Sequence, residues 1–366
     1  MKKGFWKNFF QGSGGKRFAA WQVELTSRCP LRCRMCNRIE YEEFSRRDMR
    51  LEDFKKLLPY LQDVAAVVLE GWGESLLNKN LIECIRLAKI EGPRVGFVTS
   101  GKGLNGSYIA ELLQVGVDFI GFSLAGATSQ THNAIRVNSD LDNLLQTIRI
   151  FQERKSRAKV IHPRLHIVFL LLKENIREVP ALISLARDLE IEEVVLINLI
   201  HVTNPWQDEQ KVFAEKGRED YENILKEAGE KARAWKIKLR IPSLSYEEVA
   251  VCAEDPLNNL YISVEGELSP CVYLNPPLPS PFKRIYQGRE FQIEKVHWGN
   301  LFHEPLDRIW NDKKCVEFRD HWARRKKYFE ERVASLWDRD KLKRFTIDSF
   351  PHPPKPCQTC HKILGV

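Results

Sequence analysis

Residues Trp21-Gln22-Val23-Glu24-Leu25-Thr26-Ser27-Arg28-Cys29-Pro30-Leu31-Arg32-Cys33-Arg34-Met35-Cys36 run from a β-forming segment straight into three closely spaced cysteines, a CxxxCxxC pattern. Three thiolates on so short a loop can hold one soft metal centre. The best match is a cubane iron–sulfur cluster with three irons held by protein and one left open. A structural zinc needs a fourth ligand to close its tetrahedron. After Cys36 the nearest candidates are Asn37 and Glu40, neither of them Cys or His. A zinc knuckle completed by a distant Cys or His remains the alternative on spacing alone. An iron without a protein ligand can bind a small molecule.

Outward from this stretch, strand-like runs over 21–26, 65–70, 94–99, 118–124, 164–172 and 193–199 alternate with helical patterns over 51–62, 81–89, 107–115, 131–153 and 179–188. The first helical pattern places Leu51, Phe54, Leu57, Leu58 and Leu61 on one face. Such alternation predicts an α/β protein with a partial (β/α)6 TIM-like barrel, whose chemistry lies at the carboxyl ends of the strands. Segment 209–234 reads as a polar helix and 236–241 as a last strand, with a boundary at Pro242. Beyond it come a hairpin over 260–273 turning at Glu265-Gly266, a Pro-rich loop over 276–281 and a charged helix. The expected organisation is an N-terminal extension over 1–18, the barrel over 19–243 and a smaller α+β domain over 244–366.

The chain has 366 residues, 43% of them hydrophobic, which suffices for a large core and favours two domains. Its 57 basic and 49 acidic residues give +8, but the charges are interspersed. Arg324-Arg325-Lys326-Lys327 is soon followed by Glu330 and Glu331, which suits a solvated helical face better than a nucleic-acid site. No apolar stretch approaches the roughly 20 residues that span a bilayer, so no membrane is expected and a cytoplasmic location is the default. Nine cysteines, an odd number in CxxxCxxC and CxxC spacings, argue for metal ligation over disulfides and for oxygen sensitivity.

Further segments follow the successive strands: Gly71-Trp72-Gly73-Glu74, Val98-Thr99-Ser100-Gly101, Phe122-Ser123-Leu124-Ala125-Gly126, and then His132 to Arg136. With the cysteine loop, they resemble the radical S-adenosylmethionine (SAM) superfamily. The resemblance implies that Cys29, Cys33 and Cys36 carry a [4Fe–4S] cluster whose open iron is chelated by the amino and carboxylate groups of SAM. Gly73 backbone and the Glu74 carboxylate would receive the SAM ammonium, a charge-assisted contact. Ser100 and Ser123 would face the ribose or carboxylate. Arg136 would pair with the SAM carboxylate or else salt-bridge a neighbouring helix. Met35 stands where an aromatic residue is usual, and Trp72 and Ser75 replace a glycine and a proline of the family's Gly-Gly-Glu-Pro segment.

In the C-terminal part, Cys252, Gly266 and Cys271, then Gly299-Asn300-Leu301 and Leu306-Asp307-Arg308-Ile309-Trp310, resemble the SPASM and twitch extensions of these enzymes. That resemblance implies one auxiliary [4Fe–4S] cluster on Cys252, Cys271, Cys357 and Cys360. The last pair alone would also suit a redox or zinc CxxC. Cys84 and Cys315 read as plain side chains, with Cys315 a spare ligand. His201 and Asn198, at the sixth strand's end, would face the site or serve a capping or core role, and His361 is incidental.

The resemblance implies an enzyme that cleaves SAM to a 5′-deoxyadenosyl radical, taking electrons from a ferredoxin or flavodoxin and acting on a protein, peptide or cofactor. Segments 69–74 and 98–101 look most like maturases associated with tungsten-cofactor oxidoreductases. A maturase of ribosomal peptides is the alternative, although too few residues precede the barrel for a fused leader-binding domain. Molybdenum-cofactor cyclases end in paired glycines, whereas this chain ends Ile363-Leu364-Gly365-Val366. An alternative of another class is a non-catalytic zinc or iron–sulfur RNA-binding module. Metal analysis separates these classes. Anaerobic reconstitution is expected to load iron and sulfide, whereas stoichiometric zinc without iron would favour the RNA-binding module.

Overall fold

The computed structural model describes residues 15–336 and 350–366, so most of the expected 1–18 extension lies outside the described residues. Seven strands pair in parallel and in sequence order: β1 (Ala20–Val23), β2 (Ala66–Val68), β3 (Arg94–Thr99), β4 (Phe119–Leu124), β5 (Arg164–Leu171), β6 (Glu193–Asn198) and β7 (Lys238–Arg240). Alternation along β1 divides the core. Trp21 and Val23 point into the apolar layer shared with the surrounding helices, while Ala20 joins Ala66, Val68 and Phe119 in a small separate cluster inside the sheet's curve. The helices between strands are closed by local chemistry. Asn105 accepts from Tyr108 N at the start of Gly106–Val115, Gly116 ends it in the left-handed region, and Asp140 caps Leu141–Ala158.

The sheet does not stop at the barrel. β8 (Asn259–Ile262) runs parallel to the free edge of β1, with Trp21 opposite Leu260. β9 (Glu267–Ser269) returns antiparallel to it through the predicted turn, where Gly266 adopts φ +86°. β10 (Phe282–Tyr286) and β11 (Arg289–Ile293) form their own hairpin, and β12 (Gly299–Asn300) pairs with β9 to complete a ten-stranded sheet. The smaller α+β part is therefore joined to the partial barrel by strand pairing. No helix among the described residues is long and apolar enough to cross a membrane.

Three expected helices are each broken in two. The pattern over 51–62 divides into Leu51–Lys55 and Leu58–Leu61, the second beginning around Pro59, which has no N–H to continue the first. The pattern over 209–234 becomes Pro205–Gln210 and Glu219–Ala234. The long helix over 131–153 is instead Ser129–Ile135 and Leu141–Ala158, separated by a turn with Asn138 at φ +72°. The basic run also departs from a uniformly solvated face. Lys326 and Lys327 pair with Glu330 and Glu331, but Arg325 is fully buried, bonding Glu248 at 2.9 Å and the carbonyls of Val249 and Pro351.

Glu24 ties the barrel to the added strands. Its fully buried carboxylate accepts from Trp72 N at 2.7 Å and from Val264 N, in the β8–β9 turn, at 3.3 Å. Burial pushes its pKa from the ordinary 4.5 up to about 7, outweighing those bonds. Glu70 is raised to about 7 as well, by burial and then by the charges of Glu254 and Glu74. A carboxyl raised on folding contributes stability that is complete below its unfolded pKa and is lost as pH climbs through the folded one. The native protein should therefore weaken between about pH 4.5 and 7. Glu24→Gln is expected to remove about 3 kcal/mol of that loss, measured as the change in urea midpoint between the two ends of the window. An unchanged pH slope in the variant would contradict a charge-sensitive Glu24.

Candidate active site

Three loops meet where β1, β2 and β3 end. Glu74 N donates to Arg28 O at 2.8 Å, and Asn78 Nδ2 donates to Leu25 O at 2.6 Å and Met49 O at 3.0 Å. Gly73 lies so close to the first loop that a Cβ there would stand 2.0 Å from Thr26 O and 2.6 Å from Arg28 O. The approach delivers the next side chain to the cysteine loop. The buried Glu74 carboxylate then accepts from Thr99 Oγ1, Ser100 N and Ser100 Oγ, each at 2.7 Å, and from Leu76 N at 3.3 Å. Glu74 and Ser100, expected as separate contacts, form one bonded unit across two loops. Ser123 stands half-buried on β4, the neighbour of β3.

The break after Ser129–Ile135 serves the cysteine loop. Arg34 N donates to Ile135 O at 2.9 Å and Arg32 N to Val137 O at 3.0 Å, so the turn carrying Arg136 is laced onto the loop between its cysteines. Arg136 has no salt bridge among the described residues, and its buried Nε has no hydrogen-bond partner. The alternative of a structural ion pair to a helix is therefore not what holds it. Cys33 is buried and Cys29 and Cys36 are half-buried, all as free thiols. Burial, then the charge of Cys33, pushes Cys36 up to about 11, and burial raises Cys29. Thiols so placed become thiolates readily only when a cation takes their charge, and an all-sulfur donor set is the chemistry of an iron–sulfur cluster. Met35 packs with Leu31, Ile135 and Leu199 at the loop's apolar side.

The second group of thiols comes from three separate segments. Cys252, Cys271, Cys357 and Cys360 are close enough that the charges of the other three raise Cys357, burial being the larger cause. Burial likewise lifts Cys252 and Cys271. Four free, mutually repelling thiols fit a fully ligated cluster. Cys315 does not join them. It is buried in the helix Lys313–Ala334 beside Arg319 Nη1 at 3.4 Å, and Cys84 is buried in the helix Leu81–Ile90. Among the described residues no three His, Cys, Asp or Glu side chains close on a single ion.

His201 lies between the two regions. Its ring stacks on Phe282 at 5.5 Å and meets Trp72 edge-on at 5.5 Å, and neither nitrogen has a partner. Burial, then the charges of Arg284 and His361, holds its pKa well below the usual value. Asn198 is not its companion, since it donates to Ser243 O at 2.9 Å. His361 is fully buried, with Nδ1 3.2 Å from Ile200 O. Glu24, Glu70 and Arg284 were not singled out from the sequence. The inward phase that Glu24, one residue past β1, shares with Ala20 was the available signal for that residue.

Residues 23–186 match the radical SAM superfamily, and residues 252–330 match the SPASM iron–sulfur cluster-binding domain. The chain is similar to the tungsten-containing aldehyde ferredoxin oxidoreductase cofactor-modifying protein of Pyrococcus furiosus, at 24% identity over 302 residues, which is 81% of this chain and 82% of that protein. Its fold resembles Streptococcus suis SuiB bound to S-adenosylmethionine (TM-score 0.59, 13% identity), covering 80% of this chain but only 65% of the SuiB chain. It also resembles anSMEcpe with bound AdoMet (TM-score 0.55, 14% identity, 83% of both chains). A partial βα barrel with thiols at its mouth and a cysteine-bearing extension defines a cluster-dependent enzyme. The chain contains a radical SAM domain over residues 23–186 and a SPASM domain over residues 252–330. The first domain binds a [4Fe–4S] cluster and SAM, and the second binds an iron–sulfur cluster.

The close approach at Gly73 is testable apart from turnover. Gly73→Ala is expected to destabilise the fold by about 1–3 kcal/mol, because backbone must move to admit the methyl. Gly229→Ala, in the helix Glu219–Ala234 with no neighbour nearer than 3.7 Å, should be neutral or mildly stabilising. Equal urea midpoints for the two variants would contradict the close approach.

Proposed function

We propose that the protein is a maturase that cleaves SAM reductively and uses the resulting radical to modify the cofactor of a tungsten-dependent oxidoreductase. The likeness to the Pyrococcus furiosus cofactor-modifying protein supports the substrate class. The junction of the cysteine loop, the Arg136 turn and Glu74 carries the reading of the chemistry. Cys29, Cys33 and Cys36 hold the first cluster, and Cys252, Cys271, Cys357 and Cys360 the auxiliary one. A cluster held by Cys29, Cys33 and Cys36 would supply the one electron needed for reductive cleavage of the C5′–S bond of SAM, the chemistry that generates a hydrogen-abstracting radical.

The chain's own residues bind and orient. Arg136, with no carboxylate of its own among the described residues, receives the SAM carboxylate. Gly73 carbonyl and the Glu74 carboxylate receive the ammonium, which requires Glu74 to exchange one of its present donors, and Ser100 is the donor best able to turn toward the ligand. Ser123 faces the ribose. Trp72, against His201 and Phe44, closes the mouth toward the extension and excludes water from the radical. A cytoplasmic ferredoxin or flavodoxin serves as reductant, and the barrel gives way to the extension near residue 243.

Cys33→Ala is expected to abolish 5′-deoxyadenosine formation by anaerobically reconstituted, reduced protein, and wild-type rates would overturn the cluster assignment. Glu74→Gln should keep its iron but bind SAM about ten- to a hundredfold more weakly, corresponding to roughly 1.5–3 kcal/mol for a charge-assisted contact. Unaltered SAM affinity would move the ammonium site elsewhere.

A further inference from the structure

Three cations lie around the four C-terminal cysteines, Arg284 and Arg325 buried and Lys362 half-buried, and two of them have carboxylate partners. Arg325 bonds Glu248 at 2.9 Å, and Lys362 bonds Glu254 at 3.1 Å. The third is Arg284 on β10, with 1% of its surface exposed. Its guanidinium donates to Pro356 O at 2.9 Å and to Tyr273 O at 3.2 Å, and it makes no salt bridge among the described residues. A buried guanidinium satisfied only by backbone carbonyls keeps its full charge in a medium of low polarity. That arrangement is costly unless an anion lies nearby.

The two carbonyls identify the anion. Pro356 immediately precedes Cys357, and Tyr273 follows Cys271 by two residues. One planar side chain therefore fastens together two of the three segments that supply thiols. Its charge also acts on Cys357, drawing that thiol toward the thiolate. The ring of Phe282, two residues earlier on the same strand, has its centroid 5.8 Å from the guanidinium carbon.

We propose that Arg284 is the built-in counter-cation of the auxiliary iron–sulfur centre: it staples the Cys271 and Cys357 segments and raises the centre's reduction potential. The inference rests on the assignment of Cys252, Cys271, Cys357 and Cys360 as ligands. Arg284 is a positioning residue that touches neither substrate nor SAM. Reduction adds one electron to an already anionic centre, and a fixed positive charge in a low-dielectric surrounding favours the reduced form. Arg325 and Lys362, each offset by a carboxylate, contribute far less net field.

The test uses the full chain with Cys29, Cys33 and Cys36 changed to Ala, so that only the auxiliary centre remains. Iron content is measured after anaerobic reconstitution, followed by a mediated dithionite titration read by EPR. Arg284→Gln is expected to retain iron and to shift the one-electron equilibrium at least tenfold toward the oxidised form, which is a fall of about 59 mV or more. Arg284→Lys keeps the charge and should hold the parent potential. An Arg284→Gln protein that loads no iron, beside an Arg284→Lys protein that loads it at the parent potential, supports the proposal equally. Unchanged potential in Arg284→Gln overturns it, as does failure of both variants to load iron, which would reduce Arg284 to scaffold. A parent protein without iron would overturn the ligand assignment itself, and with it this inference.

Discussion

The carboxylate of Glu74 holds the working end of the barrel together. It sits on the loop after β2, is delivered there by the close approach of Gly73 to Thr26, and collects donors from Thr99 and Ser100 at the end of β3. A buried carboxylate must find donors or neutralise, and here the protein supplies them from a second loop. Those bonds fix the spacing of two strand ends, while Glu74 N on Arg28 O fixes the third. The cysteine loop begins one residue later, so its geometry inherits this junction. Any ligand that binds Glu74 must compete with those donors.

The strand β1 carries the other constraint. It is paired on both edges, with β2 on one side and β8 on the other, so the barrel and the SPASM region share backbone hydrogen bonds. Glu24, one residue past the strand, repeats the linkage through a side chain, bonding Trp72 N toward the barrel mouth and Val264 N in the β8–β9 turn. Cys29, on the loop after β1, and Cys271, two residues past β9, are consequently positioned by one sheet. Trp72, which replaces a family glycine, donates through Nε1 to Val272 O beside Cys271 at 3.3 Å. A large residue at this position thus joins the mouth of the barrel to the auxiliary thiols and faces His201.

Much of this was legible in the sequence because the relevant signals are local. The parallel strand order, the hairpin at Gly266 and the CxxxCxxC group follow from alternation, turn residues and spacing, whereas the grouping of Cys252, Cys271, Cys357 and Cys360 rests on the resemblance to SPASM and twitch extensions. The broken helix around Arg136 was not legible. Asn138 can enter the left-handed region at low cost, but the apolar pattern continues across it, and only the pull of the Arg32 and Arg34 amides on Val137 and Ile135 shows why the turn is there. Arg325 and Arg284 were hidden for a related reason. A basic residue in a charged helix or on a short strand is by default solvated, and its burial depends on carbonyls tens of residues away. Cys315 is ambiguous in the sequence, and the structure buries it in a helix beside Arg319.

Two chemically different clusters are proposed for this chain, one with an open iron for SAM and one fully held by protein. EPR spectra of the reduced wild-type protein, recorded with and without SAM, address this directly. The expected result is two cluster signals, of which SAM changes the g-values of one and leaves the other untouched. A single signal, or two signals that both shift or both ignore SAM, would contradict it.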